Sequence, residues 1–326
     1  MVNSGLVTPK VARFFQNVEA YGNPYRELRG NRGRWAEGMG IEPYNGQEVL
    51  FYVGCVGSFD EKGQRAARAV GGLLLKAGVS FGILGPAEEC DGNEIRILGE
   101  SRIFEMLKDR NTALFQKAGV KKIITLSPHS YNVFRNEYPR RFEVFHYTQV
   151  LRDLIKGGRL KPAPKLNMKI TYHDPCFLGR HAGEYEAPRE ILRAIPGVEL
   201  IEMERNRQNS FCCGGGSGNF YTDSFGGGVD SPSRIRVREA AKTGASILAV
   251  ACPTCTVMLG EAIKDEGIEE RLIVKDISEV VEFQGHHTNP RFNRGPVRPT
   301  TNQVLCLQNS SVVCYHKDLT ESWHML

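Results

Sequence analysis

GVKKIITLSPHSYNVF, residues 119–134, and GASILAVACPTCTVML, residues 244–259, read as one segment written twice. Each opens on a glycine and runs through a short aliphatic stretch that suits a buried parallel strand. Each then meets an X-Pro-X-X step and continues with apolar residues at helical spacing. Ser127 and Ser130 of the first copy stand where Cys252 and Cys255 stand in the second, 125 residues on. Working outward, Cys55 follows the first strand-like run of one half and Cys176 that of the other, 121 residues apart, while Cys90 and Cys212 are 122 residues apart. Three near-equal offsets at three equivalent loops indicate a tandem duplication. Its halves are expected to pack about a pseudo-two-fold axis.

The rest of the chain fits that frame. Strands are predicted at 49–54, 81–84, 122–126 and 143–146, and again at 168–173, 198–201, 246–251 and 272–274, with helices at 62–77, 100–118, 128–136, 148–156, 187–194, 232–243, 253–266 and 276–282. Strands alternating with longer helical patterns are the signature of βαβ units. The expected fold class is therefore α/β, with two tandem lobes, each a small, mostly parallel sheet flanked by helices. The expected organisation is an N-terminal arm over 1–47, a first lobe over 48–157, a second over 168–283 and an irregular tail over 284–326. Val11, Phe14, Phe15 and Val18 fall at helical spacing within the arm, and residues 22–40 read as irregular. The Gly- and Pro-rich run 157–167 reads as a linker.

With 326 residues, 41% apolar and 24% charged, the composition is that of a globular chain with a substantial core. No apolar run approaches the ~18 residues that cross a bilayer, and the first residues lack an apolar signal segment, so the expected location is cytoplasmic. A net charge of +5 without Lys/Arg blocks gives no nucleic-acid footprint. Nine cysteines in such a chain argue for metal binding or redox chemistry rather than a disulfide framework.

Five of them fall in the second half: Cys176 in HDPC, Cys212 and Cys213 in FCCGGGSG, and Cys252 and Cys255 in CPTC. Cys176 and Cys252 would lie past the carboxyl ends of parallel strands, where open α/β sheets place their ligand sites. Pro253 suits a first helical turn, which would put two sulfurs near a helix N-terminus that favours thiolate. The glycines after Cys213 let backbone bend closely around a bulky inorganic group. Five sulfurs exceed the four of a tetrahedral zinc site or a regular cubane, which favours an unusual iron–sulfur cluster. Zinc, a dithiol redox pair at Cys252 and Cys255, and plain burial are the alternatives.

The stretches HDPCFLGRHAGEYEAPREIL, RNRQNSFCCGGGSGN and ACPTC resemble the cysteine-rich CCG domain found in tandem in heterodisulfide reductase. The domain is also similar to parts of the iron–sulfur subunit of glycerol-3-phosphate dehydrogenase, of lactate-utilisation and sulfite-reduction iron–sulfur proteins, and of oxidoreductases linking electron-transfer flavoprotein to quinone. LGPAEECDGNEIRILGE and NEYP look closest to the quinone-linked branch. The resemblance covers about residues 49–282. It implies a noncubane 4Fe-4S cluster on Cys176, Cys212, Cys213, Cys252 and Cys255, acting as the catalytic, cofactor-binding and metal-binding set. It implies an oxidoreductase subunit that passes electrons between a ferredoxin-like or flavoprotein donor and a disulfide or quinone acceptor. It further implies partner subunits, a membrane cytochrome or quinone-reactive subunit among them, and with these a peripheral place on the inner face of the membrane. The rival from another class is a non-catalytic zinc-binding scaffold or adaptor of a larger complex. Many members carry an N-terminal ferredoxin-like segment or membrane helices, of which this sequence has neither; the expectation is a separate electron-delivering subunit or a longer parent protein.

The first half departs from the pattern. Cys55 and Cys90 remain, Asp91 follows, and Ser127 and Ser130 hold the CxxC place. Serine is a poor ligand for iron or zinc, so no complete second cluster is expected; Cys55 and Cys90 form a degenerate site, with His129 a candidate third ligand for a single ion. His173, Asp174 and His181 read as groups that orient the ligand loop, with proton donation as the alternative. Arg234, Arg236 and Arg238, with Arg205 and Arg207, read as an ordinary solvated face rather than an anion-steering patch. GGGSG at 214–218 has no lysine in phosphate-cradle register, and Cys306, Cys314 and His316 lie in the irregular tail.

Overall fold

The structure, a computed structural model, describes residues 7–162 and 164–282. The expected tail with Cys306, Cys314 and His316, and position 283 at the end of the second lobe, lie outside the described residues. The helix α1 (Pro9–Tyr21) leads in, capped by Thr8 and burying Val11, Phe14, Phe15 and Val18. The following segment, expected to be irregular, contains a 3₁₀ helix, Arg29–Ala36, that buries Arg32 and Trp35.

The first sheet takes β1 (Val49–Tyr52), β2 (Phe81–Gly82), β3 (Lys122–Thr125) and β4 (Glu143–His146) in the order β2-β1-β3-β4. The second takes β5 (Met168–Tyr172), β6 (Val198–Leu200), β7 (Ile247–Val250) and β8 (Ile273–Asp276) in the order β6-β5-β7-β8. The duplication is thus repeated strand for strand, and the register agrees, with Leu50 opposite Ile123 and Thr171 opposite Leu248. Every strand pair is parallel, where a mostly parallel sheet was expected.

Parallel pairing needs crossovers, and helices supply them. In the first lobe these are α2 (Gly54–Phe59), α3 (Glu61–Lys76), α4 (Asn93–Ile97), α5 (Ser101–Lys117), α6 (Pro128–Asn136) and α7 (Tyr147–Lys156). The second lobe has α8 (Glu186–Ala194), α9 (Asn219–Thr222), α10 (Pro232–Lys242), α11 (Pro253–Asp265) and α12 (Ile277–Glu282). The short helices α2, α4 and α9 were not expected; each sits on a loop that carries a cysteine or follows one.

Side chains alternate between the faces of a strand, and here the alternation assigns each residue to a core. Val49 and Phe51 of β1 join Ile170 and Tyr172 of β5 and Ile247 and Ala249 of β7 in one core shared by both sheets. Leu50 and Tyr52 point the other way, into a core of the first lobe with α1 and α5. Leu248 and Val250 of β7 enter a core of the second lobe with α10 and α11. Both sheets are thus covered on both faces, and α3 lies against α11 and α12 where the lobes meet.

Candidate metal centre

In each sheet the first strand lies between the second and the third, so the chain leaves β1 and β3, or β5 and β7, on diverging paths. The crevice beyond their carboxyl ends is where open sheets of this kind bind ligands. Cys176 follows β5 and Cys252 follows β7, one on each side of that crevice, and Cys212 and Cys213 reach it on the long connection from β6 to α10. Cys252 is the extended residue before α11, Pro253 opens the helix, and Cys255 sits in its first turn.

The five thiols form one continuous chain of contacts. Cys213 Sγ lies 3.3 Å from Cys255 Sγ, and pairing between thiols links Cys176 to Cys212, Cys212 to Cys213 and Cys255 to Cys252. All are free; Cys213, Cys252 and Cys255 are buried, and Cys176 and Cys212 partly so. The backbone N–H of Gly214 donates to Cys212 Sγ at 3.3 Å. Hydrogen bonds from Cys176 and Cys213, with that N–H, hold the Cys212 thiol well below its usual range, and the same pairing pushes Cys176 up. Burial opposes ionisation of Cys252, but hydrogen bonds from Cys255 and His129 outweigh it and bring this thiol down too. A site that favours thiolate on two of five contiguous sulfurs fits a cationic inorganic group.

Glycines make the approach of these loops feasible. A Cβ on Gly215 would lie 2.7 Å from Thr254 Cγ2, and Gly218 has φ +73° with an ideal Cβ 2.6 Å from Leu98 of the first lobe.

Two buried arginines stitch the loops together from behind. Arg189 clamps Asp174 at 2.6 and 2.9 Å and Glu202 at 2.7 and 2.9 Å, and Asp174 also accepts from the N–H of Arg207 at 2.8 Å. Arg236 donates to His173 Nδ1 at 3.1 Å, to Ser210 Oγ at 3.1 Å and to the Arg205 carbonyl at 2.8 Å. Arg234 and Arg238 do lie on an outer face, paired with Glu266, but Arg236 is wholly buried, which corrects the expectation of one solvated arginine face. Positions two apart on a helix are ~200° apart around its axis, so Arg236 must point away from its two neighbours.

Burial brings His173 down to about 3, so its ring is neutral, and because Arg236 donates to Nδ1 the ring proton sits on Nε2. That nitrogen has no partner among the described residues. A ring nitrogen of His173 lies within 4.8 Å of the Cys213 and Cys255 sulfurs. In this tautomer Nδ1 is taken up by Arg236 and Nε2 carries the proton, so His173 has no free ring lone pair for a metal. His181 is exposed and stacks on Phe177, with ring centroids 4.7 Å apart.

In the first lobe the contact pattern survives with oxygen in place of sulfur. Cys90 is hydrogen-bonded to Cys55 as Cys212 is to Cys176, and Ser130 Oγ donates to Asp91 Oδ2 at 2.5 Å, where the second lobe has Cys255 beside Cys213. Arg32, buried and unflagged in the sequence, donates to Cys55 Sγ at 3.2 Å and pairs with Glu88 at 3.2 Å. A cavity of about 40 Å³, room for a water or two, is lined by Cys55, Cys90, Asp91, Ser130 and, from the second lobe, Thr254. His129 borders it but is not free to ligate there: Nδ1 lies 2.6 Å from Glu94 Oε1, and the ring is hydrogen-bonded to Cys252. Burial works against a charge on this ring; Glu94 and Cys252 outweigh it and raise His129 well above the usual histidine range.

A family model described as a cysteine-rich domain, CCG, matches residues 49–135 and 170–260. The chain is 38% identical over 297 residues to a probable iron-sulfur-binding oxidoreductase, FadF, of Bacillus subtilis, covering 86% of this chain and 41% of that protein. It is 37% identical over 283 residues to the EtfAB:quinone oxidoreductase of Syntrophomonas wolfei, covering 82% and 40%. It is 31% identical over 281 residues to one subunit of the dihydromethanophenazine:CoB–CoM heterodisulfide reductase of Methanosarcina barkeri, covering 83% and 67%. The chain thus spans about two fifths of the first two relatives. Among the described residues no helix is long and apolar enough to cross a membrane.

Proposed function

The chain belongs to the CCG cysteine-rich domain family, and from that premise we propose that it is an iron–sulfur electron-transfer subunit of a heterodisulfide-reductase-like oxidoreductase. In this reading Cys176, Cys212, Cys213, Cys252 and Cys255 hold a noncubane 4Fe-4S cluster. The observation that carries it is the unbroken run of five sulfurs at the switch point of the second sheet, more donors than a tetrahedral ion takes up.

When bound, such a cluster supplies one-electron chemistry. The protein's part is to hold five thiolates on three loops, to screen Cys213, Cys252 and Cys255 from water, and to keep the neutral ring of His173 beside Cys213 and Cys255. The donor in this reading is a ferredoxin-like or flavoprotein partner, in keeping with the quinone-linked and disulfide-linked names of the relatives, and the acceptor is a disulfide or a quinone. A quinone acceptor calls for a membrane partner or a membrane segment elsewhere in a longer protein. A zinc scaffold has one observation behind it, the proximity of His173, Cys213 and Cys255, but the tautomer set by Arg236 takes His173 out of the ligand set.

The test is iron, zinc and acid-labile sulfide content with an EPR spectrum, on chain purified without oxygen. About four irons with matching sulfide support the reading, and zinc without sulfide refutes it. Cys213→Ser is expected to lose most of the iron, while Ser130→Cys in the degenerate lobe leaves the iron stoichiometry near wild type. Equal iron in wild type and Cys213→Ser would overturn the ligand assignment.

A further inference from the structure

The lobe without a complete cysteine set reaches into the centre of the other. His129 stands on α6 of the first lobe, and its ring is tied to each of the three loops that carry cysteines in the second. It pairs with Cys252, and it lines one cavity with Pro253 and Thr254, the next two residues of that loop. It lies against Phe177, the residue after Cys176, with ring centroids 4.3 Å apart. Through Glu94 it is linked to the Cys212–Cys213 loop, because Glu94 Oε1 holds His129 Nδ1 at 2.6 Å while Oε2 accepts from the N–H of Gly218 at 2.5 Å. Glu94 is itself buried and fixed by Asn93 Nδ2 at 2.8 Å.

Each part of this arrangement has one chemical sense. A carboxylate on Nδ1 fixes the ring's orientation and leaves Nε2–H as the donor toward sulfur, the device that elsewhere orients imidazoles at metal centres. A hydrogen bond donated to a cluster thiolate stabilises the more negative, reduced state and so raises the reduction potential. The duplication supplies an internal comparison. The position equivalent to His129 is Thr254, which reaches from the second lobe to the cavity beside Cys55 and Cys90. Each lobe thus sends the third residue of its X-Pro-X-X step across to the other lobe's site, and only the histidine meets a complete set of five thiols.

We propose that His129 is a positioning residue: clamped by Glu94, it donates a hydrogen bond across the lobe boundary to Cys252 and thereby sets the potential of the redox group that the five cysteines hold. The inference rests on the iron–sulfur reading above. Its test compares wild type with His129→Leu, which removes the donor at similar volume, and with His129→Gln, which keeps an N–H. Iron per chain, the EPR spectrum and the midpoint potential are measured on anaerobic protein.

A hydrogen bond to a charged group that counts only in part toward the reduced state gives about a tenfold change in the reduction equilibrium, which for one electron is about 59 mV. His129→Leu is expected to keep its iron and move to lower potential by that amount, with His129→Gln returning part of the difference. An unchanged potential in iron-replete His129→Leu, or loss of iron in both variants alike, would overturn the proposal. A wild-type chain without iron would instead sink the iron–sulfur reading. The hydrogen bond is then read on the cluster-free chain from the ¹⁵N–¹H resonances of histidine rings, identified by their loss in His129→Gln. A shift of the His129 signals on Cys252→Ala supports the contact, and signals that stay in place refute it.

Discussion

Asp276, at the end of β8, gives the sharpest handle on how the lobes are joined. Its Oδ1 accepts three hydrogen bonds, from the Tyr147 hydroxyl of the first lobe at 2.8 Å, Ser278 N–H at 2.9 Å and Ser278 Oγ at 2.6 Å. Its Oδ2 has no partner among the described residues. A carboxylate so unevenly satisfied in the core is poorly compensated, and burial pushes the group up to about 7. In the unfolded chain an aspartate titrates near ~3.9. Because the folded value is the higher one, the folded state binds the proton more tightly. The resulting stability is complete below about pH 4 and is lost as pH rises toward about 7.

At ~1.36 kcal/mol per pH unit, the loss across that window amounts to about 4 kcal/mol. Asp276→Asn keeps the accepting oxygen and cannot ionise, so it is exempt from the loss. Urea unfolding of wild type and variant from pH 4.5 to 8.5 reads the effect as the difference in ΔG between them. The variant is expected to lead by about 1.5 kcal/mol near pH 5, rising to about 4 kcal/mol at pH 8. A gap that stays constant with pH, or that opens in favour of wild type, would refute the reasoning.

Two further outcomes concern the ligand loops. Arg189→Met strands Asp174 and Glu202 without their partner and is expected to cost ~3–5 kcal/mol, seen as a lower urea midpoint; adding Asp174→Asn should recover part of it, since no buried charge is then left alone at that position. Gly215→Ala drives a Cβ against Thr254 and Met258 beside the Cys252–Cys255 turn, so iron per chain should fall below wild type while Gly227→Ala, at a glycine with open space around it, leaves iron unchanged.

What was legible in the sequence was what local pattern records. Strand bounds emerged within two residues because buried parallel strands are short aliphatic runs, and α6 emerged at Pro128–Asn136 because Ser127 and Pro128 mark its start. The five cysteines could be placed together because Cys176 and Cys252 follow strand ends and Cys212 and Cys213 precede a glycine run, at loops the duplication repeats. The groups that complete the site were not legible, because their partners are remote in the chain. Arg32 meets Glu88, Glu94 meets His129 and Gly218, and Tyr147 meets Asp276, and no period of 2 or 3.6 carries such pairings. Polar residues beside a cysteine, as in AEECDGNE, read as a solvated loop until the fold buries them. Arg236 is the exception, since helix geometry alone separates it from Arg234 and Arg238.

Those remote pairings also account for why the two halves stay joined although only one keeps five cysteines. A lobe that served only to bind its own cluster would have no structural role once Asp91, Ser127 and Ser130 occupy the ligand positions. This one supplies half of a shared core, in which Phe51 lies with Ile170 and Tyr172, and that core has no counterpart on an isolated second sheet. It also supplies Glu94 to the Gly218 N–H and His129 to Cys252, two polar groups of the second lobe that would otherwise lose their partners beside the sulfurs. The oxygen-for-sulfur exchange at Ser130 and Asp91 keeps the contact that shapes the first lobe's crevice, so the wall carrying His129 holds its form without a cluster behind it. In physical terms the degenerate lobe is the second wall of the five-cysteine crevice, and oxygen in place of sulfur at its own crevice leaves that wall intact.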